Sequence, residues 1–143
     1  MTSITNVLLA DDDDDDCLLF KDVMKELSLP SKLSIANNGE QLMEMLTKQP
    51  LPDIIFLDLN MPLKSGFECL KEIRKSNRLR YLPVIIFSTS AQPSAVDNLY
   101  DEGATLYIKK PSSYSLLQER IGKIFSISWK DKPKLAKEDY FWP

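Results

Sequence analysis

Five short apolar runs alternate with five segments of helical spacing along a chain of 143 residues, and that alternation leaves few folds open. The runs fall at residues 7–10, 33–36, 54–57, 84–87 and 106–108. They are rich in branched side chains, too short for helices, and each is followed by a polar cluster, so they read as strands. Between them apolar residues recur at intervals of three and four: Leu19, Val23 and Leu27; Leu42, Met45 and Leu46; Phe67, Leu70 and Ile73; Val96, Leu99 and Tyr100; Leu117, Ile121, Ile124 and Phe125. Each set gives a helix one apolar face. The runs IIFL and VIIF do not alternate with polar residues, which predicts a central parallel sheet covered on both faces. Right-handed crossovers then make a doubly wound α/β domain.

In such a sheet the site lies beyond the carboxyl ends of the strands. There the sequence places Asp11 and Asp12 after the first run, residues 58–62 after the third, Ser88 and Thr89 after the fourth, and Lys109, Lys110 and Pro111 after the fifth. Asn37, Asn38 and Gly39, after the second, read as a turn and a helix start. The chain has no histidine, which excludes a hydrolase triad, histidine-ligated zinc and an internal phosphohistidine. Carboxylates, amines and hydroxyls remain. Asp11, Asp12 and Asp58 would repel one another if all ionised in one cleft, and a hard divalent cation, Mg²⁺, is the usual resolution. Lys110 would pair with a phosphoryl group, Ser88 would donate a hydrogen bond to it, and Asp58, ending a buried strand, is the candidate nucleophile.

Six of the acidic residues form one run, residues 11–16, and removing six negative charges from a formal −3 leaves the remainder at +3. The acidity is local, so neither a nucleic-acid groove nor a membrane patch is indicated. The start has no leader-like pattern and no run nears the roughly 20 apolar residues of a membrane span, which leads to the expectation of a cytoplasmic protein. Within the aspartate run the later residues are expected to start the first helix, with Asp14 or a neighbour as cap and Asp15 and Asp16 in the first turn. A calcium loop fails, because Asp16 stands where glycine is needed and Asp22 where glutamate is expected. Cys17 and Cys69 are isolated and read as buried thiols.

The segments NVLLADD, IIFLDLNMPLKSGFE, VIIFSTSA and GATLYIKKP, in this order and spacing, resemble the signature segments of response-regulator receiver domains of two-component signalling, of the single-domain chemotaxis type. The resemblance covers residues 6–127. It implies a flavodoxin-like (βα)5 fold, with a five-stranded parallel sheet of order 2-1-3-4-5 and helices on both faces. It makes Asp58 the phosphoacceptor, with Asp11, Asp12, Asp58 and the backbone carbonyl of Asn60 around Mg²⁺. It places Ser88 at the hydroxyl position and Lys110 at the lysine position, with the bond to Pro111 often cis. Tyr107 falls at the aromatic switch that turns inward with Ser88. The phosphodonor would be a histidine kinase or a histidine phosphotransfer protein, and output would pass to an unidentified protein, through the fourth helix, fifth strand and fifth helix.

Two rivals share some of these features. A Mg²⁺-dependent aspartyl-phosphate phosphohydrolase would need a general acid two residues beyond the nucleophile, where this chain has Asn60. A transcription regulator would need a DNA-binding domain, and the residues after the fifth helix are too few for one. The expected division is a receiver domain over residues 1–128 and a tail over residues 129–143, linker-like at first and ending in Tyr140, Phe141 and Trp142. That tail is either disordered or folded back over its own domain, or else serves as a docking peptide or dimer arm.

Overall fold

The five apolar runs form parallel strands β1 (Asn6–Ala10), β2 (Lys32–Ala36), β3 (Ile54–Leu57), β4 (Val84–Ser88) and β5 (Leu106–Lys109) in this computed structural model, which describes residues 4–129, 132 and 134–143. Helices α1 (Asp14–Glu26), α2 (Gly39–Met45), α3 (Gly66–Lys75), α4 (Pro93–Asp101) and α5 (Tyr114–Phe125) connect and follow them. Among the described residues no helix is long and apolar enough to cross a membrane.

The uninterrupted apolar strands are explained by two separate cores, one on each face of the sheet. Val7, Leu9, Ile54, Phe56, Ile85, Phe87, Leu106 and Ile108 pack with Phe20 and Val23 of α1 and Leu117, Ile121 and Ile124 of α5. Their strand neighbours Leu8, Ala10, Ile55, Leu57, Val84, Ile86 and Tyr107 point the other way, onto Leu42, Leu70, Ile73 and Leu99 of α2, α3 and α4. The period of two is present, with both phases buried. Phe20, Phe56 and Phe87 meet edge to face, with centroids 4.8 to 6.3 Å apart. Cys17 and Cys69 are buried free thiols, as the sequence suggested.

The helix starts are fixed locally. Asn38 caps α2, Ser65 and Glu68 form a reciprocal capping box at α3, and Ser113 caps α5. At α1 the cap is Asp13, the neighbour of Asp14, and it accepts hydrogen bonds from the backbone N–H groups of Asp15 and Asp16. Asp14, Asp15 and Asp16 therefore make up the first turn.

The sheet differs from the expected five strands. Its order is β2-β1-β3-β4-β5-β6, where β6 (Phe141–Trp142) follows α6 (Lys137–Tyr140) and pairs in parallel with β5, Phe141 opposite Tyr107 and Trp142 opposite Ile108. The physical reason is the open edge of β5, whose unpaired backbone groups an aromatic segment can both bond and cover. The tail thus folds back over its own domain, along α4, β5 and α5. Tyr140 is fully buried, with its ring 4.9 Å from Tyr100 and 6.3 Å from Tyr107, and its hydroxyl donates to the Val96 carbonyl at 3.0 Å. The indole N–H of Trp129 donates to Ile124 O at 2.9 Å. On the other side, Lys123 lies 4.8 Å from the Trp142 ring centroid and Arg120 donates to Pro143 O at 2.8 Å.

Candidate functional site

Parallel register brings the first carboxylates together. Ala10 stands opposite Leu57, so the residues that follow, Asp11 and Asp58, leave neighbouring strands side by side. The Asp58 N–H donates to Ala10 O at 3.0 Å and the Asp11 N–H to Ala36 O at 2.9 Å, which continues the ladder past the strand ends. Both residues are nearly buried, at 1% exposure for Asp11 and 7% for Asp58, whereas Asp12 is exposed. One oxygen from each of the three carboxylates lies within 4.8 Å of the others.

Lys110 reaches into this group from the end of β5. Its Nζ donates to Asp11 Oδ2 at 2.7 Å, Asp16 Oδ2 at 2.8 Å and Asp58 Oδ2 at 3.4 Å. Burial opposes the ammonium, but the hydrogen bonds to Asp11 and Asp16 and the charge of Asp58 outweigh it and hold Lys110 above the ordinary lysine range. Asp11 moves the opposite way from a typical paired carboxylate. Burial pushes it up to about 6, despite the hydrogen bonds from Lys110 and the Asp13 N–H. One ammonium does not neutralise four carboxylates in a half-dry pocket. An all-oxygen, negatively charged donor set of this kind fits a hard divalent cation.

The remaining expected residues lie around this centre. Ser88 ends β4, fully buried, and its Oγ accepts a hydrogen bond from the Ser90 N–H at 3.3 Å. The Lys110 N–H donates to Ser88 O at 2.8 Å, tying the hydroxyl strand to the lysine strand. Tyr107 is fully buried on the α4 side, its hydroxyl donates to the Ser90 carbonyl, and burial followed by the charge of Asp58 raises its phenol to about 12. Asn60 sits exposed in the turn after β3, two residues beyond Asp58. The cis bond expected before Pro111 is not found; among the described residues the cis peptide bond is Gln49–Pro50.

The geometry now agrees with a match to the family model described as the response regulator receiver domain, which covers residues 7–122. The chain belongs to the response regulator receiver family. It is 33% identical to response regulator Rcp1 of Synechocystis sp., over 73% of this chain and 75% of that protein. The crystal structure of the Mn²⁺-bound form of Rcp1 superposes with a TM-score of 0.79 at 29% identity, covering 92% of this chain and 99% of the other. The phosphorylated cyanobacterial phytochrome response regulator RcpA gives a TM-score of 0.79 at 28% identity, covering 85% and 91%. This receiver is therefore a component of two-component signalling.

Two residues of the candidate site escaped the sequence reading. Asp16 was assigned only to the first turn of α1, yet its carboxylate holds Lys110. Six identical residues in a row carry no periodicity, so nothing in the run shows which of them faces inward. Gly66, inside the quoted segment NMPLKSGFE, starts α3 against the backbone of Asp58; a Cβ there would lie 2.2 Å from the Asp58 carbonyl oxygen. The Gly66 N–H also donates to Leu59 O at 3.0 Å, which closes the loop behind Asp58. A glycine directly after a helix cap, four positions after proline, was the available signal.

Proposed function

We propose that this receiver accepts a phosphoryl group on Asp58 from a phosphohistidine of a partner histidine kinase or phosphotransfer protein, and that Mg²⁺ assists the transfer. The observation that carries the reading is the convergence of Asp58, Asp11, Asp12 and Lys110 at the carboxyl ends of β1, β3 and β5. An Asp58 oxygen attacks phosphorus as the P–N bond breaks, and the departing imidazole retains its electron pair and takes up a proton. Asp11, Asp12, Asp58 and the Asn60 carbonyl would hold the metal, which supplies charge neutralisation at the phosphoryl oxygens. Lys110 binds a second phosphoryl oxygen as a point charge, and Ser88 leaves its bond with the Ser90 N–H to donate to a third.

Phosphorylation then shifts the populations of the β4–α4 loop, with Ser88 and Tyr107 as the moving parts, and another protein reads the state with higher affinity for one population. Residues 1–128 act as the receiver and residues 129–143 as its appended tail, and a second copy of the chain is one reader to test. Because two of the structural neighbours are named as a phytochrome response regulator and a bacteriophytochrome response regulator, a photoreceptor histidine kinase is the first donor class to test. The Mg²⁺-dependent phosphohydrolase reading is weaker, since the Asn60 carboxamide is no general acid and cannot protonate a leaving group. Incubation with Mg²⁺ and a small acyl phosphate, followed by intact-mass measurement, tests the chemistry. One added phosphoryl group on the wild type and none on Asp58→Asn is the expected result, and equal labelling of both proteins overturns it.

A further inference from the structure

We infer that Asp16 is a positioning residue for Lys110, the carboxylate that keeps its ammonium aimed at the phosphoryl position when the metal and the phosphoryl group have claimed its other two partners. This rests on the proposed phosphoryl chemistry at Asp58. A lysine ammonium has three donors and no acceptor, and here three carboxylates take them. Asp11 and Asp58 belong to the triad whose oxygens lie within 4.8 Å, the group suited to a cation, and Asp16 does not. Once a cation draws on Asp11, and a phosphoryl group converts the Asp58 carboxylate to an acyl phosphate, Asp16 remains the one of the three whose charge neither event uses.

The scaffold makes Asp16 suited to this task. Its backbone N–H is fixed by the Asp13 cap at 3.1 Å, its side chain is 31% exposed, and its 2.8 Å contact with Lys110 is shorter than the 3.4 Å contact of Asp58. Lys110 itself is held between strand and helix, with 8% of its side chain exposed and its N–H bonded to Ser88 O. The flexible four-carbon stem of a lysine otherwise leaves its charge poorly aimed. Asp15, in the same helical turn, provides a built-in comparison: it contributes the same charge to the helix start and is exposed, with its backbone N–H bonded to Asp13.

Competitive acetylation by acetic anhydride, read by mass spectrometry with exposed Lys109 as internal reference, tests the anchor without any phosphorylation step. In Mg²⁺-loaded protein, Asp16→Asn should raise the acetylation of Lys110 relative to Lys109 by about fivefold, while Asp15→Asn leaves it within about twofold. At saturating Mg²⁺, labelling of Asp58 by acyl phosphate should slow about tenfold in Asp16→Asn and hardly at all in Asp15→Asn, and Asp16→Glu should recover a large part of the rate. Equal effects of the Asp15 and Asp16 substitutions would reduce Asp16 to a helix-dipole charge and overturn the inference. So would unchanged Lys110 reactivity in Asp16→Asn. Failure of the phosphoacceptor reading would appear separately, as labelling that survives Asp58→Asn.

Discussion

The carboxyl ends of the strands and the outer edge of β5 are a few residues apart in sequence but are held by opposite means. At the strand ends, one ammonium is shared by Asp11, Asp16 and Asp58, and burial leaves Asp11 hard to ionise. At the edge, Tyr140, Phe141 and Trp129 are packed and hydrogen-bonded, and β6 completes the sheet. The first region keeps charge uncompensated and therefore available to a ligand, whereas the second removes apolar surface from water and adds stability. Tyr107 joins them, with its hydroxyl on the Ser90 carbonyl and its ring 5.6 Å from Phe141. The surface expected to signal is thus already covered by the chain's own tail, and a protein that reads it must contact or displace that tail.

If the two regions divide chemistry from stability in this way, substitutions should separate them. The largest effect falls on Tyr140→Ala, which empties a fully buried site and should cost about 3–5 kcal/mol, roughly 10 °C in melting temperature by calorimetry. Acyl phosphate labelling of Asp58 should persist below the new transition; its loss would show that the edge is part of the chemistry. Gly66→Ala strikes the boundary from the other side. Its Cβ collides with the Asp58 carbonyl, so denaturant melts should show a loss of about 1–3 kcal/mol, accompanied by slower labelling.

The pH dependence sharpens the comparison further. Asp11 is raised from 3.8 to about 6, so between these values the folded metal-free protein binds more protons than the unfolded chain. Its contribution to stability is therefore greatest below about 4, falls as pH rises through about 6, and is flat above that. Because a metal must displace that proton, Mg²⁺ affinity should weaken as pH falls below about 6, measured by calorimetric titration. Melting temperatures in chelator across the same range check the first half, and an Asp11→Asn variant should flatten both profiles. Smallest is Lys137→Ala, which breaks an exposed 3.2 Å pair with Asp97 and should shift stability by under about 0.5 kcal/mol. A larger shift would mean that charge, rather than the aromatic rings, fastens the tail.

Sequence alone determined the doubly wound fold and most of the site, because apolar runs bounded by polar clusters locate strand ends and this topology gathers strand ends on one edge. Asp11, Asp58, Ser88 and Lys110 could be found in that way, without any knowledge of distance. The inward-facing member of the aspartate run could not be told from the run itself, since six identical side chains have no phase, and the cap at Asp13 together with the buried face of Phe20, Val23 and Met24 sets the rotation of α1. The path of the tail was equally hidden: Tyr140, Phe141 and Trp142 signalled apolar surface in need of a partner, but any apolar surface would serve. Tertiary structure decided that it is β5 and Tyr107, because an open strand edge offers backbone hydrogen bonds and aromatic contact at the same place.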